Sequence, residues 1–228
     1  MASFAVPPSL VVAGLAFAIL LTGWVIYPLV LALIARGRLE WRPDPVRERR
    51  VSVVLATRES PEAVARRVAD LRATEHPAEL LQIVVAVDRD APHPREAYER
   101  ALRDPAVTIE HGRALPSPEL VVVQASAAAG KSAALDRGVA AARHPLIVFA
   151  DTAQSFDRRA IGALASCLDG PRLGAVTGRL SFGEDDDGGS VMGRFWAYEV
   201  WLRTLEARVH SVVAVTGAIY AMRRELWR

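Results

Sequence analysis

From Leu10 to Ala35 the chain is apolar at almost every position, and no Asp, Glu, Lys or Arg occurs before Arg36. A helix needs roughly 20 such residues to cross a ~30 Å hydrocarbon layer, so residues 1–36 predict an anchor with one transmembrane helix. Trp24 and Tyr27 suit a headgroup belt, and Pro28 predicts a kink, because its ring crowds the carbonyl four residues earlier. The polar, proline-bearing stretch over 37–50 reads as a basic linker. Beyond it the period changes. Apolar runs suited to buried strands (Val51–Ala56, Leu81–Val87, Leu120–Gln124, Leu146–Ala150 and Ala175–Phe182) alternate with helical patterns. Helices are expected from Pro61 behind Ser60 as N-cap, near Pro94–Arg103, over Ser132–Ala142 and over Arg158–Leu168. Strand alternating with helix predicts an α/β fold over 51–228, a mostly parallel, Rossmann-like sheet with helices on both faces.

Charge sharpens this division. All 28 Lys+Arg and all 26 Asp+Glu lie after residue 35, so the net charge of +2 describes neither part well. The arginines are interspersed with acids and form no basic run beyond Arg47–Arg50, which argues against nucleic acid as a partner. A cleaved signal peptide competes with the anchor, but the N-terminus lacks a positive n-region, the apolar core is too long, and no small-residue cleavage motif precedes Arg36. Arg36, Arg38, Arg42, Arg47, Arg49 and Arg50 follow the span while its N-terminal flank has no such charge. The positive-inside rule therefore predicts a single-pass inner-membrane protein with its polar domain in the cytoplasm. One cysteine, Cys167, cannot form an internal disulfide and is expected to fill core in a helix. The five histidines show no paired metal spacing, and no Gly-x-Ser-x-Gly occurs, which excludes zinc and nucleophile-elbow hydrolase chemistry. Between glycines over 183–189, Glu184 and Asp185–Asp187 read as a solvated loop rather than a metal site. The three-residue steps Phe195, Tyr198, Trp201 favour a core-facing stripe over a bilayer-facing one, with Trp196 beside them.

Parallel sheets take ligands outside the carboxyl ends of their strands, which directs attention to Thr57-Arg58, Asp88-Arg89-Asp90, Gly130-Lys131 and Asp151. Asp88 ends QIVVAVD and has two readings: a hydrogen-bond acceptor for a nucleoside, or a loop aspartate capping the next turn. Asp151 ends LIVFAD and is either a ligand for a hard divalent cation that bridges diphosphate oxygens or an N-cap for the segment after it. Gly130-Lys131-Ser132 opens a helix, so backbone N–H groups, the helix dipole and the only lysine in the chain converge where an anion can sit; the plain alternative is a surface lysine.

Ala125–Ser132, ASAAAGKS, also resembles a relaxed phosphate-binding loop, and LIVFAD resembles the magnesium-holding strand of an ATPase. Alanine stands where the first glycine belongs, and the motif follows two earlier strand–helix units, so a P-loop-like ATPase is the alternative reading. A membrane-anchored, non-catalytic nucleotide-binding scaffold is a third.

Taken in order, VSVVLATRES, QIVVAVDRD, GKSAALDRGVAAA, LIVFADTAQ, TGRLSF and YEVWLRTLEARVHSVVAVTGAIYAMRREL resemble the family 2 glycosyltransferases, membrane-attached inverting enzymes of GT-A fold. The resemblance runs over most of 51–228 and implies nucleotide-sugar contacts from Thr57, Arg58, Asp88, Gly130, Lys131 and Asp151. It implies a Mg²⁺ or Mn²⁺ at Asp151, the first residue of an Asp-x-Asp motif whose second position is Ala153 here, and an acceptor side at Thr216-Gly217-Ala218, ahead of Arg223 and Arg224. Asp136 stands where the family usually has asparagine. The implied reaction transfers a sugar, with inversion, from a nucleotide-sugar donor to a hydroxyl of a carbohydrate or lipid acceptor at the bilayer. The family's catalytic base lies downstream of the Arg-Arg segment. The chain is accordingly expected to be an N-terminal, nucleotide-binding portion, C-terminally incomplete and inactive alone, with no catalytic base among its own residues.

Overall fold

The computed structural model describes residues 7–38, 48–103, 109–110, 113–114, 116–125, 128–168, 173–180 and 191–228. In chain order the elements are α1 (Pro8–Leu21), a π-helical turn (Thr22–Ile26), α2 (Tyr27–Ala35), β1 (Val51–Thr57), α3 (Pro61–Arg72), β2 (Leu81–Val87), α4 (Arg95–Ala101), β3 (Ile109–Glu110) and β4 (Arg113–Ala114). There follow β5 (Glu119–Gln124), α5 (Lys131–Ala141), β6 (Leu146–Ala150), α6 (Ala160–Cys167), β7 (Ala175–Thr177), α7 (Val191–Val209) and β8 (Ile219–Arg223). These elements divide into two compact units, Met1–Arg42 with Ser181–Ala214, and Pro43–Leu180 with Val215–Arg228. α7 groups with the apolar helices of the first unit.

In the second unit a six-stranded sheet runs in the order β5-β2-β1-β6-β8-β7. β5, β2, β1 and β6 are mutually parallel, with Val51 opposite both Leu81 and Leu146. Every residue of β1, β2 and β6 is buried, as expected for central strands covered on both faces. Alternation sorts their side chains. Val51, Val53 and Leu55 join Val64, Val68 and Leu71 of α3 and Ile161 and Leu164 of α6 in one cluster. Val54 and Ala56 join Val84, Ala86, Ile147 and Phe149 against Ala134 and Val139 of α5 in the other. α5 approaches closely: a β-carbon on Gly138 would stand 2.5 Å from Val54 Cγ1, so glycine is required there by space. Ser60 caps α3 as expected, its Oγ accepting from Ala63 N at 3.3 Å, and Pro61 occupies the first helical position.

Two strand expectations need correction. The run over Ala175–Phe182 yields only a three-residue β7; residues 178–180 are irregular, and 181–182 fall outside the described residues. Ile219–Arg223, read from sequence as part of a segment leading to the acceptor side, is a strand. β8 pairs antiparallel to β6 and β7, which makes the sheet mixed at one edge. Its short alternation places Ile219 and Ala221 in the first cluster, while Tyr220 and Met222 pack against the second. The linker over 39–47 and the acidic stretch over 183–189 lie outside the described residues.

In the first unit α1, the π-helical turn and α2 form one apolar helix over Pro8–Ala35, long and apolar enough to cross a membrane. Where the sequence predicted a kink at Pro28, the helix has a π-helical turn just before it. Proline has no N–H and its ring crowds the preceding turn, and Thr22–Ile26 is π-helical. The aromatic stripe of α7 faces no core, contrary to the sequence reading: Phe195 and Trp201 are each 44% exposed. The buried stripe of α7 is instead the aliphatic one, Leu205 with Leu202 and Val209, packed on Leu31, Ala32 and Ala35 of α2.

Candidate active site

Each strand-end residue owes its position to the parallel register. β1, β2 and β6 run the same way and end at nearly the same level, with Thr57 opposite Val87 and Leu55 opposite Ala150. Thr57, Asp88 and Asp151 therefore emerge side by side. Gly130, at a φ of +105°, turns the chain into α5 and brings Lys131 over the same edge. A cleft of about 180 Å³ is lined by Thr57, Arg58, Glu59, Asp88, Lys131, Asp151 and Thr152. A larger open groove of about 410 Å³, between α4 and the β5 edge, has none of these residues in its lining.

Asp88 is the centre of this arrangement and is only 1% exposed. Its Oδ1 accepts from Arg58 Nη2 at 3.2 Å and Asp90 N at 2.9 Å; its Oδ2 accepts from Gly130 N at 2.7 Å and faces Arg58 Nε at 3.1 Å. Four donors occupy a carboxylate with about four acceptor sites. Burial alone would push this carboxyl up, but the hydrogen bonds from Arg58, Asp90 and Gly130 and the Arg58 charge outweigh it and hold the pKa below the usual carboxylate range. The Arg58 side chain, by contrast, is 54% exposed. At this strand end the guanidinium faces the cleft and Asp88 is the buried fork that aims it.

On the other side, Lys131 Nζ stands 3.2 Å from Asp151 Oδ2, while Asp151 Oδ1 accepts from Thr152 N at 2.7 Å. Thr152 Oγ1 donates to Thr57 Oγ1 at 3.2 Å, which ties the ends of β6 and β1 together, and Thr57 Oγ1 also accepts from Glu59 N at 3.0 Å. Arg67, which sequence reasoning passed over as one of many helix arginines, is buried beneath this turn. Its Nε donates to the Asp151 main-chain oxygen at 2.9 Å, its Nη1 pairs with Asp70, and its guanidinium lies 4.1 Å from the centre of the Phe156 ring. Asp70 Oδ2 in turn accepts from Phe156 N at 3.3 Å. An arginine at an i, i+3 spacing from an acid inside an amphipathic helix was the available signal, and it is too common to single out from sequence.

Thr216 and Gly217 do not line the cleft. They precede β8, whose Ile219 pairs with Ala150, so antiparallel pairing delivers them to the end of the sheet that carries Asp151. Thr216 is buried, with its N donating to Thr177 Oγ1 at 3.0 Å. The arginine pair belongs to the opposite end: Arg223 pairs with Leu146 at the start of β6 and donates to the carbonyls of Leu168 and Leu173, and Arg224 donates to that of Ala142. Asp136 is likewise engaged structurally, accepting from the Trp227 indole at 2.8 Å.

Among the described residues no group of three or more His, Cys, Asp or Glu is gathered as a metal cluster. The donor set at Asp151 nevertheless suits a hard cation of a particular kind. One carboxylate, 35% exposed to the cleft, is sufficient for an ion that keeps several waters and completes its shell with substrate phosphates. Ala153 contributes no oxygen ligand from its side chain. A phosphate-loop arrangement is not favoured, since the Gly130 N–H that would point at phosphate is given to Asp88.

The fold has counterparts among solved structures. The mannosyltransferase PcManGT from Pyrobaculum calidifontis, determined with GDP-Man and Mn²⁺, superposes with a TM-score of 0.70 at 19% identity over 92% of this chain and 55% of its own. Mannosyl-3-phosphoglycerate synthase from Rubrobacter xylanophilus matches with a TM-score of 0.50 at 18% identity over 86% of this chain and 64% of its own. Glucosyl-3-phosphoglycerate synthase from Mycobacterium tuberculosis, determined with Mn²⁺, UDP-Glc and phosphoglyceric acid, matches with a TM-score of 0.44 at 19% identity, over 86% of this chain and 60% of its own. The chain therefore spans 55% to 64% of the length of these proteins. The likeness to the first two is one of fold. No curated protein matches the sequence. The sequence model described as "Glycosyltransferase like family 2" matches residues 48–228, nearly the whole of the polar part, and on that match the chain belongs to the family 2 glycosyltransferases.

Proposed function

We propose that the chain carries the donor-binding site of a membrane-anchored glycosyltransferase that moves a sugar from a nucleotide-sugar to an acceptor hydroxyl with inversion. The observation that carries this is the meeting of Arg58, Asp88, Lys131 and Asp151 around one cleft at the carboxyl end of a parallel sheet, in a chain of this family. Arg58, aimed by Asp88, and Thr57 hold the nucleoside end of the donor. Lys131, at the N-terminus of α5, faces the diphosphate, where its charge and the helix dipole favour an anion. Asp151 would hold Mg²⁺ or Mn²⁺, which when bound supplies positive charge against the departing diphosphate. Thr216 and Gly217 form the acceptor side. No residue of this chain is assigned as the base that takes the acceptor's proton.

Pro8–Ala35 anchors the protein in the inner membrane by the same reading, and Arg36 and Arg38 at its polar end place the donor site in the cytoplasm. The acceptor is a carbohydrate or lipid presented at that surface. Calorimetry on the detergent-solubilised chain with GDP and UDP tests the donor reading. Tighter binding of one of them with Mn²⁺ than with chelator is expected, together with loss of that gain in Asp151→Ala. Equal affinity with chelator would refute the metal role, and absence of binding to either nucleotide would refute the site.

A further inference from the structure

At 1.5 Å per residue the 28 residues of Pro8–Ala35 form a helix of about 42 Å, roughly 12 Å longer than a ~30 Å hydrocarbon layer. Protein cover along it begins where that excess begins. No residue of α1 is buried, whereas Pro28, Leu31 and Ala35 of α2 are. Their cover is α7, which runs beside α2 in the same direction. Near the start of α7, Trp24 meets Phe195 and Tyr198 with ring centroids 6.0 and 5.5 Å apart; near its end, Arg38 Nη1 donates to the Val209 carbonyl at 2.6 Å.

Two hydrogen bonds, one exposed and one half-buried, fix this pairing. Pro28 has no N–H to offer the Trp24 carbonyl four residues earlier, and the Tyr198 hydroxyl donates to that carbonyl at 3.0 Å. The Tyr27 hydroxyl donates to Glu206 Oε1 at 2.9 Å, and Glu206 Oε2 accepts from Val213 N at 3.2 Å, so the acid is satisfied within the unit. The start of α7 thus stands level with the π-helical turn. There it exposes Val191 (87%), Phe195 and Trp201, next to the half-exposed Trp24. The Trp24–Phe195, Trp24–Tyr198 and Tyr198–Trp201 ring contacts join the exposed aromatic rings of α7 to the apolar helix.

We propose that the N-terminal half of α7 lies in the headgroup–acyl boundary of the bilayer, with Phe195 and Trp201 against lipid beside Trp24, while the α2–α7 pair stands above the hydrocarbon. Indole and phenyl groups suit that boundary. Arg203 pairs with Glu199 at 2.9 Å, leaving Arg194 as the one further basic side chain over residues 191–203, too little charge to require anionic lipid. Seating is apolar, so uncharged phosphatidylcholine suffices.

This rests on the anchor reading, and the test separates the two. The full chain, with Cys167→Ser, carries a spin label at one introduced cysteine (Leu15→Cys, Phe195→Cys, Trp201→Cys or Arg137→Cys) in phosphatidylcholine vesicles. The readout is the ratio of collisions with oxygen to collisions with a water-soluble nickel chelate. The expected ratio at 195 and 201 is several-fold above that at 137, on the exposed face of α5, and below that at 15. Ratios at 195 and 201 equal to that at 137, with 15 in lipid, would overturn the interfacial seating and leave the anchor standing; an aqueous value at 15 would overturn both. In the unlabelled protein, phosphatidylcholine brominated near the headgroup should quench tryptophan emission less after Trp201→Phe. Unchanged quenching would count against the proposal.

Discussion

Replacing Asp88 by asparagine exchanges one carboxylate oxygen for an NH₂ group and tests whether the site is organised from this carboxylate. In either amide orientation an NH₂ group faces one backbone N–H, that of Gly130 or of Asp90, and one Arg58 nitrogen. A buried donor left unsatisfied costs about 1–3 kcal/mol. The weakened Arg58 contact adds little, because the guanidinium is half exposed and screened by solvent. The expected loss is about 2 kcal/mol, or a drop in Tm of roughly 4–8 °C for a unit of this size. Circular dichroism melts of the two proteins in detergent measure it. The pH dependence supplies a second check. Since the folded-state pKa of Asp88 is depressed, its contribution is fully present above the unfolded value of about 3.9 and is lost as pH falls through the lower folded value. The gap between wild type and Asp88→Asn should therefore stay constant from about pH 5 to 8 and close below about pH 4. A Tm within about 1 °C of wild type at neutral pH, or a gap that persists in acid, would refute the reasoning.

Lys131→Met should weaken nucleoside diphosphate binding by about 10- to 100-fold, as expected for one charge-assisted contact, and leave binding of the bare nucleoside unchanged; calorimetry distinguishes the two. Gly138→Val forces methyl groups into the space already filled by Val54 Cγ1 and should cost about 1–3 kcal/mol in urea denaturation, whereas Gly217→Ala, with open space around it, should be close to neutral. Arg67→Met removes the donor to the Asp151 carbonyl and the partner of Asp70, with an expected loss of about 2 kcal/mol. Arg67→Met should also reduce the gain in nucleotide affinity from Mn²⁺, and Arg67→Lys should restore part of that gain if the side chain positions Asp151.

The central strands and their helices were legible because burial on both faces writes itself as continuous apolar runs: β2 over Leu81–Val87 and β6 over Leu146–Ala150 coincide with the sequence expectation. β8, between β6 and β7, was not, because a half-covered strand of five residues needs no such run and takes its direction from partners distant in sequence. Of the strand-end residues, Thr57, Arg58, Asp88, Lys131 and Asp151 were legible as candidates because parallel topology puts their chain positions at one edge. Their contacts were not. Sequence left Asp88 open between ligand acceptor and loop cap; its four donors come from three separate segments and turn it inward.

By itself the sequence determined that an uncharged helix precedes an α/β domain, since hydrophobic period and charge distribution act locally along the chain. Only the tertiary structure decided which groups share the cleft, that Arg67 lies under Asp151, that Arg223 and Arg224 bind carbonyls at the far end of the sheet, and that α7 covers α2. Those outcomes depend on register, burial and hydrogen-bond partners that arise when distant segments pack. The five-residue β8 and the aromatic stripe of α7 read one way in isolation and another once their neighbours are in place.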